Sequence, residues 1–311
     1  MRILLVVDGS SYSAMATRML EALRLPSPTE VTVMTVVPEY TFLGGITLGR
    51  LRDASVKKEA QQQKALDLLQ NAIQALSARR LKVESLVCWG NPTKEILKVI
   101  EESGSSLVVI GAKGLTDPLT FRLGSVAQTV MRHARASVLL VREKSATANQ
   151  ALLTKKKTAA IERVLLATDG SKYSDMVTQF LLNLPLPRQS QVIVVTALQS
   201  HLAAWVKTPT LDFRTNQEIL ARLQAAEESE ARKITAKAEK QFQAKGYKTT
   251  SVVMMGGAAE SILSAAKKYK PDIIALGSRG LGGITSLLLG SVAERVARYV
   301  NCSVLISRAP R

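Results

Sequence analysis

The chain is one unit written twice, and that limits its fold more than any other feature. ILLVVDGSSYS at residues 3–13 aligns without gaps to VLLATDGSKYS at 164–174. Leu4, Leu5, Asp8, Gly9, Ser10, Tyr12 and Ser13 match Leu165, Leu166, Asp169, Gly170, Ser171, Tyr173 and Ser174. Segments 111–142 and 277–308 also align without gaps and share fourteen of thirty-two positions. Two motif pairs in the same order, this far apart, mean a tandem duplication of a whole domain. Domains are expected at 1–143 and 161–311, joined by a linker at 144–160. That stretch, within EKSATANQALLTKKKTAA, is polar and rich in Lys, Thr and Ala.

Each copy alternates strand and helix signals. In the first, ILLVV reads as a strand, continuously apolar because helices cover both faces. SYSAMATRMLEAL follows as a helix with serine at hand to cap it. VTVMTVV is a second strand, residues 53–79 a long amphipathic helix, and LKVESLVCW a third strand. NPTKEILKVIEES is a helix with Pro at its start, LVVIG a strand, SVAQTVMRHA a helix and SVLLVR the last strand. The fold class is therefore α/β: two tandem doubly wound, Rossmann-like domains, each a five-stranded, mostly parallel sheet flanked by four helices. In such sheets ligands bind beyond the carboxyl ends of the strands, where the strand order reverses.

Two features of each copy fall at such ends. The first is Asp-Gly-Ser after strand one. Asp8 and Asp169 could accept hydrogen bonds from a ribose or a base, or could serve only as Asx-turn residues. The second is a glycine loop after strand four, Gly-two-Gly-nine-Gly-Ser, read as GAKGLTDPLTFRLGS at 111–125 and GSRGLGGITSLLLGS at 277–291. Gly277 and Gly280 are expected to turn the backbone through angles closed to other residues. Gly290 and Ser291 open a helix whose unpaired amides favour an anion, with Ser291 as its cap or as a hydroxyl donor to phosphate. Gly111, Gly114, Gly124 and Ser125 repeat the pattern. The same glycines also serve as plain punctuation in a doubly wound fold. No GxxxxGK[ST] occurs, and no GxGxxG follows the first strand.

VLLATDGSKYSDM together with GSRGLGGITSLLLGS strongly resembles the universal stress protein family, in its tandem two-domain form and its ATP-binding branch. The resemblance covers both copies and implies the adenine nucleotide alpha-hydrolase-like variant of the fold. It implies ATP as ligand, alone or with Mg²⁺, with Asp169 at the ribose or adenine end and the backbone of Ala197 against adenine. Gly277, Gly280, Gly290 and Ser291 would line the phosphates, with Arg279 adding charge. In the first copy the matching set is Asp8, Val36, Gly111, Gly114, Gly124 and Ser125. There Thr116, Asp117 and Pro118 replace the second copy's more open Gly282 and Gly283, with Arg122 as a nearby counter-charge. An acid beside phosphates weakens binding, so the second site is expected to be the better one. The resemblance also implies that SVLLVR and SVLISR pair as an intrachain pseudo-dimer, with a homodimer of chains as a further assembly.

Other classes find less support. The chain carries 42 Lys and Arg against 25 Asp and Glu, a formal charge of +17. The basic residues are spread out, though, and aromatics are 4%, so a dedicated nucleic-acid site is not expected. Cys88 and Cys302 form no CxxC pair and read as small hydrophobes. No run reaches the length of a membrane span, and MRILLVV is too short for a signal peptide, so membrane insertion is not expected and a cytoplasmic location is. His133 and His201 have no counterpart in the other copy and read as surface or packing residues. With no recurring base or nucleophile, no catalytic residue is assigned and enzymatic activity is limited to slow ATP hydrolysis. The function expected is a nucleotide-dependent stress-response regulator acting on a protein partner. In that role, segments 40–53 and 201–217 beside the sites would respond to the nucleotide or merely cover it. The alternative is a structural or chaperone-like stress interaction module without nucleotide.

Overall fold

A computed structural model describes residues 1–26, 28–38, 48–77, 81–115, 123–142, 161–184, 186–199, 213–280 and 289–308, with side chains of the two longest helices described from residues 58 and 221. The chain forms two compact units, one within Met1–Ala160 and the other spanning Ile161–Arg308.

The first unit runs β1 (Arg2–Val6), α1 (Ser11–Ala22), β2 (Glu30–Val37), α2 (Leu48–Ser77), β3 (Lys82–Trp89), α3 (Pro92–Ser103), β4 (Leu107–Gly111), α4 (Ser125–His133) and β5 (Ser137–Val141). Its strands lie in the order β3-β2-β1-β4-β5, all parallel. The second unit repeats the plan. Its elements are β6 (Arg163–Ala167), α5 (Lys172–Asn183), β7 (Gln191–Leu198), α6 (Phe213–Ala244), β8 (Lys248–Met255), α7 (Ala258–Tyr269), β9 (Ile273–Gly277), α8 (Ser291–Tyr299) and β10 (Ser303–Ser307). Its order is β8-β7-β6-β9-β10, again parallel throughout. Each unit is thus the doubly wound α/β sheet expected, with five strands and four helices among the described residues.

The continuously apolar strands behave as their composition requires. Leu4, Leu5, Leu165 and Leu166 are fully buried, because helices pack on both faces of the central strands. α3 shows how local chemistry sets a boundary. Pro92 stands at the first turn, Asn91 caps it by accepting from Lys94 N at 3.1 Å, and Gly104 ends it at φ 57°. In the second unit the residue matching Gly104 is Lys270, held at φ 47° in the same left-handed region. A side chain there costs about 1–2 kcal/mol, offset in part by the entropy that glycine loses on folding. Lys270→Gly is therefore expected to stabilise the second unit by about 0.5–1 kcal/mol. A lower unfolding midpoint in denaturant would contradict that.

Three expectations need revision or fall elsewhere. The helix expected at 53–79 already begins at Leu48 and is described as far as Ser77, residues 78–80 lying outside the described ones. The segments read as loops at 40–53 and 201–217 are helical over 48–53 and 213–217, and their remaining residues lie outside the described ones. The linker at 144–160 also lies outside the described residues.

Candidate functional site

In each unit the chain leaves the central strand in one direction and returns on the other side. β1 pairs with both β2 and β4, and β6 with both β7 and β9. The strand order reverses between β1 and β4 and between β6 and β9, which opens a crevice at their carboxyl ends. Both sequence motifs sit there.

The Asp-Gly-Ser turn is built the same way twice. Gly9 has φ 84° and Gly170 φ 75°, angles that disfavour any side chain. A Cβ there would also lie 2.9 Å from Leu68 Cδ1 of α2 or from Ile234 Cδ1 of α6. The two long helices therefore roof the turns closely. Asp169 Oδ1 accepts from Ser171 N at 3.0 Å, and Asp8 Oδ1 accepts from Ser10 N at 2.9 Å and Ser10 Oγ at 2.6 Å. The Asx turn is thus real in both copies. Ser10 and Ser171 cap the following helices, accepting from Ser13 N at 3.1 Å and Ser174 N at 3.2 Å. Ser171→Ala is expected to cost about 1 kcal/mol of stability, the usual value of such a cap. An unfolding midpoint unchanged from the parent would contradict it.

The glycine loop returns to this turn. A Cβ on Gly280 would stand 2.6 Å from Asp169 Oδ2, so the second glycine of the loop lies directly against the acid after β6. A Cβ on Gly277 would meet Arg279 O at 2.8 Å and Tyr173 Cβ at 3.4 Å, and one on Gly290 would meet Ser278 O at 3.2 Å. Gly290 N donates to Ser278 O at 2.8 Å, which ties the start of α8 to the end of β9. In the first unit Gly124 N donates likewise to Ala112 O at 2.8 Å, and a Cβ on Gly111 would lie 2.8 Å from Tyr12 Cβ and 3.0 Å from Tyr12 C. Ser10 Oγ lies 3.5 Å from Lys113 O, so turn and loop also approach each other there.

These contacts correct one expectation. Gly277 and Gly280 are not among the residues with positive φ. They are glycines because neighbouring atoms leave no room for a side chain, not because the backbone takes a forbidden angle. A second expectation also changes. The caps of α8 and α4 are Gly290 and Gly124, without a side-chain hydrogen bond, and Ser291 and Ser125 are the first helical residues, exposed to solvent. The first bonds within these helices are Glu294 N to Gly290 O at 3.0 Å and Gln128 N to Gly124 O at 2.8 Å. The amides of residues 291–293 and 125–127 therefore have no acceptor within their own helix.

Ala197 and Val36 are placed by ladder alternation. Thr168 N donates to Val195 O at 2.9 Å, so the peptide groups of Val195 face β6. Gly256 N donates to Leu198 O at 3.0 Å, so those of Leu198 face β8. By alternation the N–H and C=O of Ala197 face the side of β6, beyond the point where β6 ends at Ala167. Val7 N to Met34 O at 2.9 Å and Gly90 N to Val37 O at 3.0 Å place Val36 in the same way beyond β1. Both residues thus turn backbone donors and acceptors toward the crevice.

Arg279 is held: its Nη1 donates to Tyr173 Oη at 3.3 Å, and its guanidinium lies 5.6 Å from the centre of that ring. Tyr12 and Tyr173, which back the loop glycines, were missed as site residues. Their signal was present, since both stand among the positions the copies share. Asp169 is half-buried whereas Asp8 is exposed. Gly114 lies in the described loop beside Lys113, while Thr116, Asp117, Pro118, Arg122, Gly282, Gly283 and His201 lie outside the described residues. His133 ends α4.

Elsewhere, Cys302 is buried and Cys88 half-buried, with burial as the main cause pushing the Cys88 thiol above its usual range. Among the described residues no three His, Cys, Asp or Glu side chains gather as a metal site, and no helix is long and apolar enough to cross a membrane.

Comparison with known proteins gives one family. The profile of the universal stress protein family matches residues 1–142 and 160–308. Universal stress protein Rv2005c of Mycobacterium tuberculosis strain H37Rv is 26% identical over 253 residues, which are 80% of this chain and 78% of that one. A solved universal stress protein from Archaeoglobus fulgidus is 20% identical and covers 99% of this chain and 96% of its own, with a TM-score of 0.62. Another, solved in complex with cAMP, is 24% identical over 48% of this chain and 98% of its own at a TM-score of 0.31. Its bound nucleotide is a property of that protein.

Proposed function

The chain belongs to the universal stress protein family, and from that premise we propose that it binds ATP in the crevice of one or both units and acts as a nucleotide-dependent regulator of a stress response. The observation that carries this reading is the contact between Gly280 and Asp169, where a Cβ would stand 2.6 Å from Oδ2. It puts an acid suited to ribose hydroxyls and a loop suited to phosphates on the walls of one crevice, at the switch in strand order.

The residues fit the parts of ATP in order. The backbone of Ala197 offers a donor and an acceptor for the edge of adenine. Asp169 accepts from the ribose. Gly277, Gly280 and Gly290 leave room for phosphates to approach the backbone, and the free amides at the start of α8 attract them. Ser291 adds a hydroxyl and Arg279 a positive charge. Asp8, Val36, Gly111, Gly114, Gly124 and Ser125 make the matching set in the first unit. The second unit is the stronger candidate, because its acid is half-buried and its guanidinium is held in place. No residue is assigned to hydrolysis. Mg²⁺, if it enters, comes with the triphosphate. The regulatory output is a change in the affinity for a protein partner in the cytoplasm.

Equilibrium dialysis of the full chain against ATP, adenosine and cAMP tests this. Saturable ATP binding that is much tighter than adenosine binding is expected, since the phosphates supply the contacts at the helix start. Absence of saturable binding would leave the interaction module without nucleotide as the function.

A further inference from the structure

The parallel register of β9 and β10 sets Gly277 opposite Ser307, and Ser278 N donates to Ser307 O at 3.0 Å. Continuing that register, Arg308 falls beside Ser278, one residue short of Arg279. Arg308 is partly buried, and its guanidinium is held below the usual arginine range by burial first and by the charge of Arg279 second. Arg279 is fixed from the other flank by Tyr173, through a 3.3 Å hydrogen bond and ring contact at 5.6 Å. Its backbone also packs on the start of α8, where a Cβ on Gly290 would lie 3.4 Å from Arg279 Cα. Two arginines and a positive helix end thus stand around the carboxyl ends of β9 and β10. Like charges held together partly out of water oppose one another, and an anion spanning them relieves that opposition.

The arrangement is repeated. Gly111 lies opposite Val141 in the β4–β5 register, and Ala112 N donates to Val141 O at 2.8 Å. The residues that follow are Lys113 and Arg142. Both copies place a cation directly after the last strand and another two residues after the first glycine of the loop.

We infer that Arg308 is a specificity-determining residue that holds the outer phosphates of a bound nucleoside triphosphate, so that the second site selects a triphosphate over a monophosphate. This rests on the nucleotide reading above. The helix start and Arg279 account for the phosphate nearest the ribose. Arg308 adds a second cation, after the neighbouring strand, and a guanidinium grips phosphate oxygens in pairs. Arg142 has the equivalent role in the first unit.

The test is calorimetric titration of the full chain, as wild type, Arg308→Met, Arg308→Lys and the double variant Arg142→Met/Arg308→Met, with ATP and with AMP. Thermal unfolding of each variant reports whether the fold is kept. Arg308→Met is expected to weaken ATP at the second site about tenfold, as loss of one charged contact does, while AMP changes by less than about twofold. Arg308→Lys keeps most of the ATP preference, and the double variant loses it at both sites. Equal losses for ATP and AMP, or ATP binding unchanged in folded Arg308→Met, would overturn the inference and leave the nucleotide reading intact. A wild type that binds neither ligand would overturn both.

Discussion

Gly280→Val is expected to remove measurable ATP binding from the second unit, a loss on the order of a hundredfold or more, while the unit stays folded. The new Cβ would stand 2.6 Å from Asp169 Oδ2, and valine adds two methyls beyond it. The carboxylate must swing away, which would remove the charged hydrogen bond proposed to the ribose, worth about 1.5–3 kcal/mol. The methyls would also fill the space proposed for the phosphates. The fold should survive, because Gly280 lies partly exposed after β9 and the crowding atom is the end of a side chain. Titration with ATP alongside an unfolding curve separates the two effects. Affinity within threefold of wild type, in a folded variant, would mean that Asp169 and the loop do not share a ligand.

Gly111→Val should do the opposite: it damages the fold first. Its Cβ would lie 2.8 Å from Tyr12 Cβ, 3.0 Å from Tyr12 C and 3.1 Å from Ser13 N. Two of those atoms are backbone at the start of α1, so the strand and the helix must move apart. Overpacking of this kind costs about 3 kcal/mol, which is roughly a 10 °C fall in the melting temperature of a unit this size. Gly277→Val in the second unit should cost less, since Tyr173 Cβ is 3.4 Å away and the nearest atom is the carbonyl oxygen of Arg279, in the loop itself. Scanning calorimetry of the two variants should show the first unit losing more than the second. Equal shifts would mean that the glycines are not distinguished by the tyrosine helix behind them.

Much of this architecture was legible in the sequence because the duplication tests each reading against itself. Apolar runs such as ILLVV and VLLAT, each followed by Asp-Gly-Ser, fix strand, turn and helix start by local chemistry alone. The carboxyl-end crevice then follows from parallel connectivity. What local chemistry could not supply was contact across the sequence. Gly111 reads locally as a backbone hinge because glycine after a strand usually is one; its actual constraint, Tyr12 at the start of α1, would lie 2.8 Å from a Cβ there and comes far earlier in the chain. The start of α2 at Leu48 was missed for a similar reason. Gly49 is a poor helix former, so a local reading starts the helix after it. Asp169 showed its Asx turn in its own tripeptide, but not its approach to Gly280, which only the pairing of β6 with β9 creates. Arg308 gave no signal as a single residue and gains its meaning from the strand beside it.

The proposed function stands or falls on whether the crevice holds ATP. The test is to denature the freshly purified chain, identify any released nucleotide by chromatography, and titrate the refolded protein with ATP by calorimetry. ATP is the ligand expected, at about one to two molecules per chain, with the second unit filled first. No released nucleotide and no heat on adding ATP would contradict it, and would leave the glycine loops as tight joints between strand and helix.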